Sequence, residues 1–318
     1  MTEPLAPHPE KLLLLDSASL YFRAFFGVPD SVKAPDGTPI NAVRGFLDII
    51  AKLLTSYRPT DLVACWDDDW RPQWRVDLIP TYKAHRVARL VDGGPDVEEV
   101  PDALTAQVPL IRETLGALGL PIVGAPGYEA DDIIGTLAAR AQTPVDVVTG
   151  DRDLFQLVED ARGVRVVYTA RGMSNLEDVT DAVIGERYGI RADQYADFAT
   201  LRGDPSDGLP GVSGIGEKSA AALLRTYGSL DAVMAAAADG DPGMTPRVRA
   251  KIGEAHDYLT VAPTVVRVAA DAPIAVASTR LPEVDAATRA RGAELADRLG
   301  LGASMTRILE AMSGAPSA

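Results

Sequence analysis

The 318-residue sequence has few of the residues that build disulfides, zinc sites or membrane spans. Its single cysteine, Cys65, excludes an intramolecular disulfide, and its place in the apolar run LVACW favours a buried side chain. His8, His85 and His256 are scattered, without the spacing of a zinc site or a catalytic triad. No apolar run approaches the ~18 residues of a membrane span. Residues 1–10 lack the features of a signal peptide and are expected to form a disordered tail, so we expect a cytoplasmic protein.

Positive charge is also scarce, with 31 Lys and Arg against 45 Asp and Glu and a net charge of −14. This balance argues at first against a nucleic-acid partner, because phosphate binding needs a positive surface. The cations are unevenly distributed, however, and the segment from Arg71 to Arg89 holds five of them with only one acid, Asp77. Divalent ions bound among clustered carboxylates would offset several negative charges. Net charge therefore does not decide the partner.

Strand-like and helix-like segments alternate in the first half of the chain. Apolar runs occur at 11–16, 61–66, 121–125, 145–150 and 164–168, and segments of helical period lie at 42–57, 110–119 and 130–142. This alternation predicts an α/β fold with a mostly parallel sheet covered by helices on both faces. Helical patterns dominate after about residue 180, so we expect a boundary near 185–190. The aperiodic segment 89–102 is expected to be a mobile loop.

Nine acidic residues in five short clusters are the most informative feature of the sequence. Several follow apolar runs, which places them at the carboxyl edge of the sheet, where open α/β sheets bind ligands. So many carboxylates would repel each other unless cations such as Mg²⁺ or Mn²⁺ lay among them. The pattern predicts a two-metal phosphodiesterase. The acids are Asp16 (LLLLDS), Asp68 (WDDD), Glu129, Asp131 and Asp132 (YEADD), Asp151 and Asp153 (TGDRD), and Asp204 and Asp207 (GDPSD).

Each acid taken alone is also consistent with a turn or a helix cap. Capping needs one acid in the first turn of a helix, whereas YEADD supplies three. Unrelated caps therefore explain single members of the set better than they explain the whole set.

The segment GLPGVSGIGEKSAAALL at 208–224 is the second informative feature. A phosphate-binding P-loop is disfavoured, because Glu217 separates Gly216 from Lys218 and no buried strand precedes the segment. A helix–hairpin–helix is favoured, in which glycines bring backbone amides up to a DNA phosphate. A glycine-rich helix connection without a ligand is the alternative.

The basic segment 71–86 interleaves Trp74 and Tyr82 with its cations. Aromatic rings can stack on unpaired bases while Lys and Arg follow the phosphates, so the segment is interpreted as a contact for single-stranded DNA. A solvated helical face is the alternative.

Together these motifs resemble the 5′-nuclease and flap endonuclease superfamily, in particular the bacterial domain fused to DNA polymerase I. The resemblance covers residues 11–270 and is carried mainly by YEADD, TGDRDLFQL and LRGDPSDGLPGVSGIGEKSAAALL. It implies a PIN-like nuclease domain at 11–187, with a helical arch or gateway at about 71–108. It also implies a helical DNA-binding region at 188–318 that contains a helix-three-turn-helix. No polymerase motifs follow, so a free-standing form is expected.

The resemblance also implies a role for each matched residue. Asp16, Asp68, Glu129 and Asp131 would hold a first metal ion, and Asp151, Asp153 and Asp204 a second, with Asp132 and Asp207 completing the acidic shell. The WDDD run leaves the second ligand ambiguous, and the family's spacing to Tyr82 and Lys83 selects Asp68 over Asp67 or Asp69. Phosphate would be engaged by Lys83, Arg23 and Arg86, and DNA by Tyr82, Gly211, Gly214, Gly216 and Lys218. The carbonyls of Val212 and Ile215 would hold K⁺.

The expected enzyme is a monomeric nuclease that cleaves DNA at 5′ flaps, nicks and 5′ ends in replication and repair. A non-catalytic DNA-binding factor would not need nine acids. A PIN-type ribonuclease would leave the 208–224 segment unexplained, and a phosphatase with an Asp nucleophile would need an early D-x-D motif, where this chain has Asp16-Ser17-Ala18.

Overall fold

The computed structural model describes residues 10–91 and 94–314. The expected tail at 1–10 lies outside this part except for its last residue, as does His8. A six-stranded sheet forms the centre of the fold, in the order β5-β2-β1-β6-β7-β8. The strands are β1 (Leu12–Asp16), β2 (Asp61–Cys65), β3 (Val87–Arg89), β4 (Val97–Glu98), β5 (Ile122–Val123), β6 (Val145–Thr149), β7 (Val164–Tyr168) and β8 (Glu177–Val179).

The sheet is parallel except at β8, which pairs antiparallel with β7. Its order reverses between β1 and β6, because β2 lies on one side of β1 and β6 on the other. Side chains alternate between the faces, so Leu12 and Leu14 enter one buried cluster while Leu13 and Leu15 enter another. The predicted parallel sheet covered on both faces is confirmed, and Cys65 is buried within it.

Fourteen α-helices occur in the described residues, and none of them is long and apolar enough to cross a membrane. Helices α1 and α2 cover one face of the sheet, and α6 covers the other. The first seven helices are α1 (Ser17–Gly27), α2 (Asn41–Tyr57), α3 (Gln73–Leu78), α4 (Asp102–Thr105), α5 (Val108–Ala117), α6 (Ala130–Arg140) and α7 (Asp181–Tyr188).

The second half of the chain is helical after β8. Helices α8 and α9 are joined through the glycine-rich segment 203–216, and α10 to α12 pack around them. These helices are α8 (Tyr195–Arg202), α9 (Glu217–Tyr227), α10 (Leu230–Asp239), α11 (Pro246–Glu254), α12 (His256–Val266), α13 (Ala286–Leu299) and α14 (Gly302–Met312).

Helices α13 and α14 return to the sheet part of the fold and pack on α2 and α5. Arg307 on α14 bonds Asp48 on α2 at 2.7 Å, and Arg291 on α13 donates to the carbonyl of Ala117 at 2.8 Å. The last two helices of the region predicted at 188–318 therefore lie on the sheet part of the fold. The apolar side chains of these two helices pattern like any amphipathic helix, so the sequence does not reveal which surface they cover.

The segment 71–108 contains short helices and a two-stranded antiparallel sheet of β3 and β4. The prediction of an aperiodic loop at 89–102 missed the two-residue strand β4 and the last residue of β3. Asp96 anchors the hairpin, because its carboxylate accepts a hydrogen bond from Arg71 at 2.6 Å and its carbonyl accepts one from Trp70 at 2.6 Å.

Candidate active site

The acidic residues gather at the carboxyl edge of the sheet, where the strand order reverses. Asp16 ends β1, and its Oδ2 accepts a hydrogen bond of 2.6 Å from Thr149, the last residue of β6. Its Oδ1 accepts from the backbone N–H of Ser19 at 3.2 Å, which caps α1. A cavity of about 1220 Å³ opens above this point. Its acidic lining includes Asp16, Asp67, Glu129, Asp131, Asp151 and Asp204.

Burial and mutual repulsion disfavour the charged forms of these carboxyls. Burial is the largest cause and raises the pKa of Asp16 to about 7, with further contributions from Asp67 and Asp151. Burial likewise raises the pKa of Asp67 to about 6. The pKa of Asp131 lies well above its usual range, because of burial and then the charges of Asp16 and Asp151. These acids therefore lie close enough to interact, as the sequence predicted.

Asp67, and not Asp68, faces the cavity. Asp67 Oδ1 accepts a hydrogen bond of 2.9 Å from the N–H of Ala130, at the start of α6. The carboxylate of Asp68 lies outside the cavity lining, 3.6 Å from Arg112 and beside Gly124. Spacing selected Asp68, whereas the structure places Asp67 in the cavity lining, because the distance along an irregular segment does not determine which of three adjacent acids faces inward.

The carboxylate of Asp132 forms an ion pair with a buried arginine, Arg75. Arg75 on α3 grips its carboxylate with two hydrogen bonds of 2.7 Å each, and the N–H groups of Glu129 and Ala269 donate to the same carboxylate at 3.1 and 2.8 Å. Asp132 is fully buried and does not line the cavity. In the structure Asp132, one of the acids predicted to bind metal, pairs with Arg75 outside the cavity lining.

A second group of acids surrounds the segments after β6 and α8. Asp151 and Asp204 line the cavity, and Asp151 Oδ1 accepts from the N–H of Asp153 at 2.9 Å. Asp153 Oδ1 is buried and has no hydrogen-bond partner within the described residues. Its pKa is raised well above the usual range by burial and then by Asp151, Asp207 and Asp204. Burial also raises the pKa of Asp207, although Lys83 and Arg86 oppose the shift.

Three predicted cations lie around these acids. The Nζ of Lys83 forms an ion pair with Glu129 Oε2. Burial alone would lower the pKa of Lys83, but Glu129, Tyr82, Asp207 and Asp131 together outweigh burial and raise it well above its usual range. Arg86 bonds Asp207 Oδ1 at 3.1 Å and the carbonyl of Ser206 at 2.7 Å. Arg23 on α1 lines the same cavity, and its buried Nε has no partner among the described residues.

The aromatic residues of the basic segment make contacts within the fold. Tyr82 is only 3% exposed, and its hydroxyl donates to Glu129 Oε1 at 2.7 Å. The Arg75 guanidinium covers Trp74 at 4.3 Å from the ring centre. Stacking of Tyr82 on a DNA base is therefore excluded in this arrangement. Arg71 and Arg75 are also consumed by internal ion pairs, so the basic segment is less exposed than its sequence indicates.

Two glutamates that the sequence reasoning missed, Glu98 and Glu99, also line the cavity. Burial raises the pKa of Glu98, and the nearby charges of Arg86 and Lys83 oppose the shift. The pairing of β3 with β4 brings Glu98 opposite Val87, next to Arg86. Only this hairpin places Glu98 near the site, and the sequence carries no strong strand pattern there.

Comparison with known proteins places this chain in a family. The family model for the 5′-3′ exonuclease N-terminal resolvase-like domain matches residues 11–189, and the model for the 5′-3′ exonuclease C-terminal SAM fold matches residues 190–288. The chain belongs to the 5′-3′ exonuclease family. It is 59% identical over 301 residues to a 5′-3′ exonuclease of Streptomyces coelicolor, covering 95% of this chain and 100% of that protein. It is 54% identical over 314 residues to a 5′-3′ exonuclease of Mycobacterium tuberculosis, covering 96% and 98%.

Solved structures of low sequence identity share the fold. The T5 D15 protein co-crystallised with metal ions has a TM-score of 0.62 at 18% identity, covering 95% of this chain and 100% of that one. The catalytic core of Rad2 in complex with a DNA substrate has a TM-score of 0.58 at 18% identity, covering 96% and 92%.

The glycine-rich hairpin of this family member turns between α8 and α9. Gly211 and Gly214 have φ values of 62° and 69°, a region that favours glycine. An added Cβ at Gly211 would lie 2.5 Å from the backbone of Arg202, and one at Gly214 would lie 2.3 Å from the Nζ of Lys251. Gly216 caps α9 without a side-chain hydrogen bond. The turn thus presents the start of α9 to solvent.

The structure also shows where the other predicted residues of the hairpin lie. Lys218 is exposed in the first turn of α9. Val212 and Ile215 bury their side chains in the core, and the carbonyl of Val212 accepts from the N–H of Ile215 at 2.9 Å. Lys251 donates to the carbonyl of Gly214 at 2.8 Å, a contact from α11 that the sequence did not indicate.

The donor chemistry of the acidic cavity fits divalent metal ions. The groups are carboxylates, the ligands that hard cations prefer. Asp153 Oδ1 is buried without a hydrogen-bond partner among the described residues, and burial together with neighbouring carboxylates raises the pKa values of Asp16 and Asp131. A bound cation would stabilise the charged forms of these acids. Over residues 10–91 and 94–314, however, no three His, Cys, Asp or Glu side chains are already arranged so that they could hold one metal ion. The acids are gathered but not arranged around common points.

Proposed function

We propose that this chain is a structure-specific 5′-nuclease that hydrolyses DNA phosphodiesters with two divalent metal ions. The observation that carries the proposal is the gathering of carboxylates at or just after the ends of β1, β2 and β6 and at the start of α6, in one cavity lined by Lys83, Arg86 and Arg23. Its membership of the 5′-3′ exonuclease family supports the reaction. The metal ions crystallised with the T5 protein and the DNA bound to the Rad2 core are consistent with the proposed ligands.

Two groups of carboxylates would hold the ions after small side-chain rotations. The first group is Asp16, Asp67, Glu129 and Asp131, and the second is Asp151, Asp153, Asp204 and Asp207. Bound Mg²⁺ or Mn²⁺ would supply an activated water and stabilise the leaving oxygen. The raised pKa values of Asp16, Asp67 and Asp131 mean that the acids shed protons when cations bind.

The cations of the cavity would act on the scissile phosphate. Lys83 and Arg23 would stabilise charge that develops on the phosphate oxygens, and Arg86 would hold the phosphate on the Asp207 side. Lys83 neutralises Glu129 in this structure. A metal ion at Glu129 would take over that task and free the ammonium group for the substrate.

The hairpin at 208–224 would hold the duplex at a distance from the cavity. The exposed amides at the start of α9 and the side chain of Lys218 suit a phosphate of the DNA backbone. A K⁺ ion near the carbonyls of Val212 and Ile215 remains part of this proposal, and its test is the dependence of duplex affinity on KCl against NaCl at equal ionic strength. In this proposal the protein acts as a monomer and processes flaps during replication and repair.

One set of assays tests the proposed function. End-labelled flap, nicked, gapped, single-stranded and RNA-containing substrates are each incubated with Mg²⁺, Mn²⁺ or EDTA. We expect cleavage near the flap junction and at nicks with either metal, and none in EDTA. Cleavage in EDTA, or equal cleavage of all substrates regardless of structure, would contradict the proposal.

A further inference from the structure

Arg75 is the most heavily engaged charged side chain beside the cavity. Its residue is 2% exposed, and its guanidinium bonds Asp132 twice at 2.7 Å and Glu129 Oε1 at 3.2 Å. Its Nε donates to the carbonyl of Val265 at the end of α12 at 3.1 Å. Arg75 thus joins α3, α6 and α12. Burial alone would lower the pKa of Arg75, but Glu129, Tyr82 and Asp132 together outweigh burial and raise the pKa, so the group stays charged.

The two oxygens of Glu129 have different surroundings. Oε1 accepts from Arg75 at 3.2 Å and from Tyr82 at 2.7 Å. Oε2 pairs with Lys83 alone among the described residues, and Lys83 itself lines the cavity. Arg75 and Tyr82 therefore fix the carboxylate plane and direct Oε2 towards the cavity.

We propose that Arg75 is a positioning residue that orients Glu129 for metal binding through its fork with Asp132. This inference rests on the proposed function, because it assigns Glu129 to a metal ion. Asp132 anchors the guanidinium, and the guanidinium anchors Glu129. Arg75 itself touches no substrate in this scheme.

Arg75 could affect metal binding through its positive charge or by orienting Glu129, and the two effects have opposite signs. A positive group beside the site repels a divalent cation, so a purely electrostatic Arg75 would weaken metal binding and its removal would strengthen it. An orienting Arg75 supports metal binding by its geometry. Lysine keeps the charge but cannot reproduce the planar fork. Arg75→Lys therefore separates the two roles.

The test measures Mn²⁺ binding directly, by the electron paramagnetic resonance signal of unbound Mn²⁺, without substrate. We expect Arg75→Lys and Arg75→Gln each to raise the Mn²⁺ dissociation constant about tenfold, the loss typical of removing a partner that orients a metal ligand. Saturating Mn²⁺ should restore most of the single-turnover cleavage rate of Arg75→Lys.

Arg165→Lys is the matched control, since Arg165 also holds a buried carboxylate, Asp146, with bonds of 2.7 and 3.3 Å outside the cavity lining. It should leave Mn²⁺ affinity unchanged. For a variant too unstable to titrate, the Mn²⁺-induced rise in its melting temperature over its own metal-free value gives the same comparison.

Wild-type Mn²⁺ affinity in Arg75→Lys would overturn the positioning role, whatever Arg75→Gln does. A weakening of equal size in Arg165→Lys would overturn it too, because the effect would then reflect general loss of stability. If the unmodified protein neither binds Mn²⁺ nor cleaves DNA, the proposed function itself fails.

Discussion

Replacing Asp67 should impair cleavage strongly, whereas replacing its neighbour Asp68 should have little effect. Asp67 lines the cavity and is bonded to the start of α6, whereas Asp68 lies beside Arg112 on the outer side. Asp67→Asn keeps an acceptor for the Ala130 N–H but removes the charge of a proposed metal ligand. We expect it to lower the single-turnover cleavage rate by at least about 100-fold. Removing a residue that only orients a metal ligand typically costs about 10- to 100-fold, and a direct ligand should cost more. Asp68→Asn should stay within about twofold of the wild type.

The two substitutions should also differ in stability without metal. The pKa of Asp67 is about 6 in the folded protein against 3.8 ordinarily, so the folded state binds the proton more tightly. Its contribution to stability is fully present below pH 3.8 and is lost as the pH rises through about 6. The difference corresponds to at most about 3 kcal/mol, which partial exposure reduces to about 1–2 kcal/mol. Asp68→Asn loses only an exposed ion pair, worth about 0–1 kcal/mol.

Urea unfolding in EDTA checks this reasoning. Asp67→Asn should stabilise the metal-free protein by about 1–2 kcal/mol at pH 8, and the gain should vanish at pH 4. Asp68→Asn should give no gain at either pH. A large loss of cleavage in Asp68→Asn together with near-normal cleavage in Asp67→Asn would refute the assignment.

Three further changes probe other parts of the site. Asp151→Ala should abolish cleavage in Mg²⁺ while flap binding, measured by fluorescence anisotropy, stays largely intact; normal turnover would remove Asp151 from the metal ligands. Lys83→Ala should slow single-turnover cleavage by about 100-fold with little change in dissociation constant, and an unchanged rate with weak binding would contradict this. Gly214→Val should displace Lys251, weaken duplex binding and flatten its salt dependence. Circular dichroism must first show that the variant folds. Wild-type affinity and salt slope in the folded variant would exclude the hairpin as the element that holds the duplex.

The sequence predicted those parts of the fold that local patterns determine. Five apolar runs became β1, β2, β5, β6 and β7, because a buried parallel strand needs apolar side chains on both faces. The very short strands β3 and β4 carry too few residues for a period to be recognised. The site at the carboxyl edge followed from the same strands, since Asp16 and Asp151 lie at or just after the ends of neighbouring strands.

Pairing across the fold could not be read from the sequence. YEADD offers three acids that look equivalent, yet Arg75, more than 50 positions away along the chain, claims Asp132. Tyr82 looks like a stacking residue beside its cations, but its hydroxyl reaches Glu129 in the core. Both outcomes depend on how α3 packs on α6 and α12, and local spacing does not specify that packing.

Anomalous diffraction from crystals grown with Mn²⁺ tests the central claim most directly. We expect two peaks in the cavity about 3.5–4 Å apart, one beside Asp16, Asp67 and Glu129 and the other beside Asp151 and Asp204. Glu129 should reach the first peak through Oε2, with Lys83 displaced. Crystals that bind Mn²⁺ only at the surface, or at Asp68 or Asp132 with the cavity empty, would contradict the account.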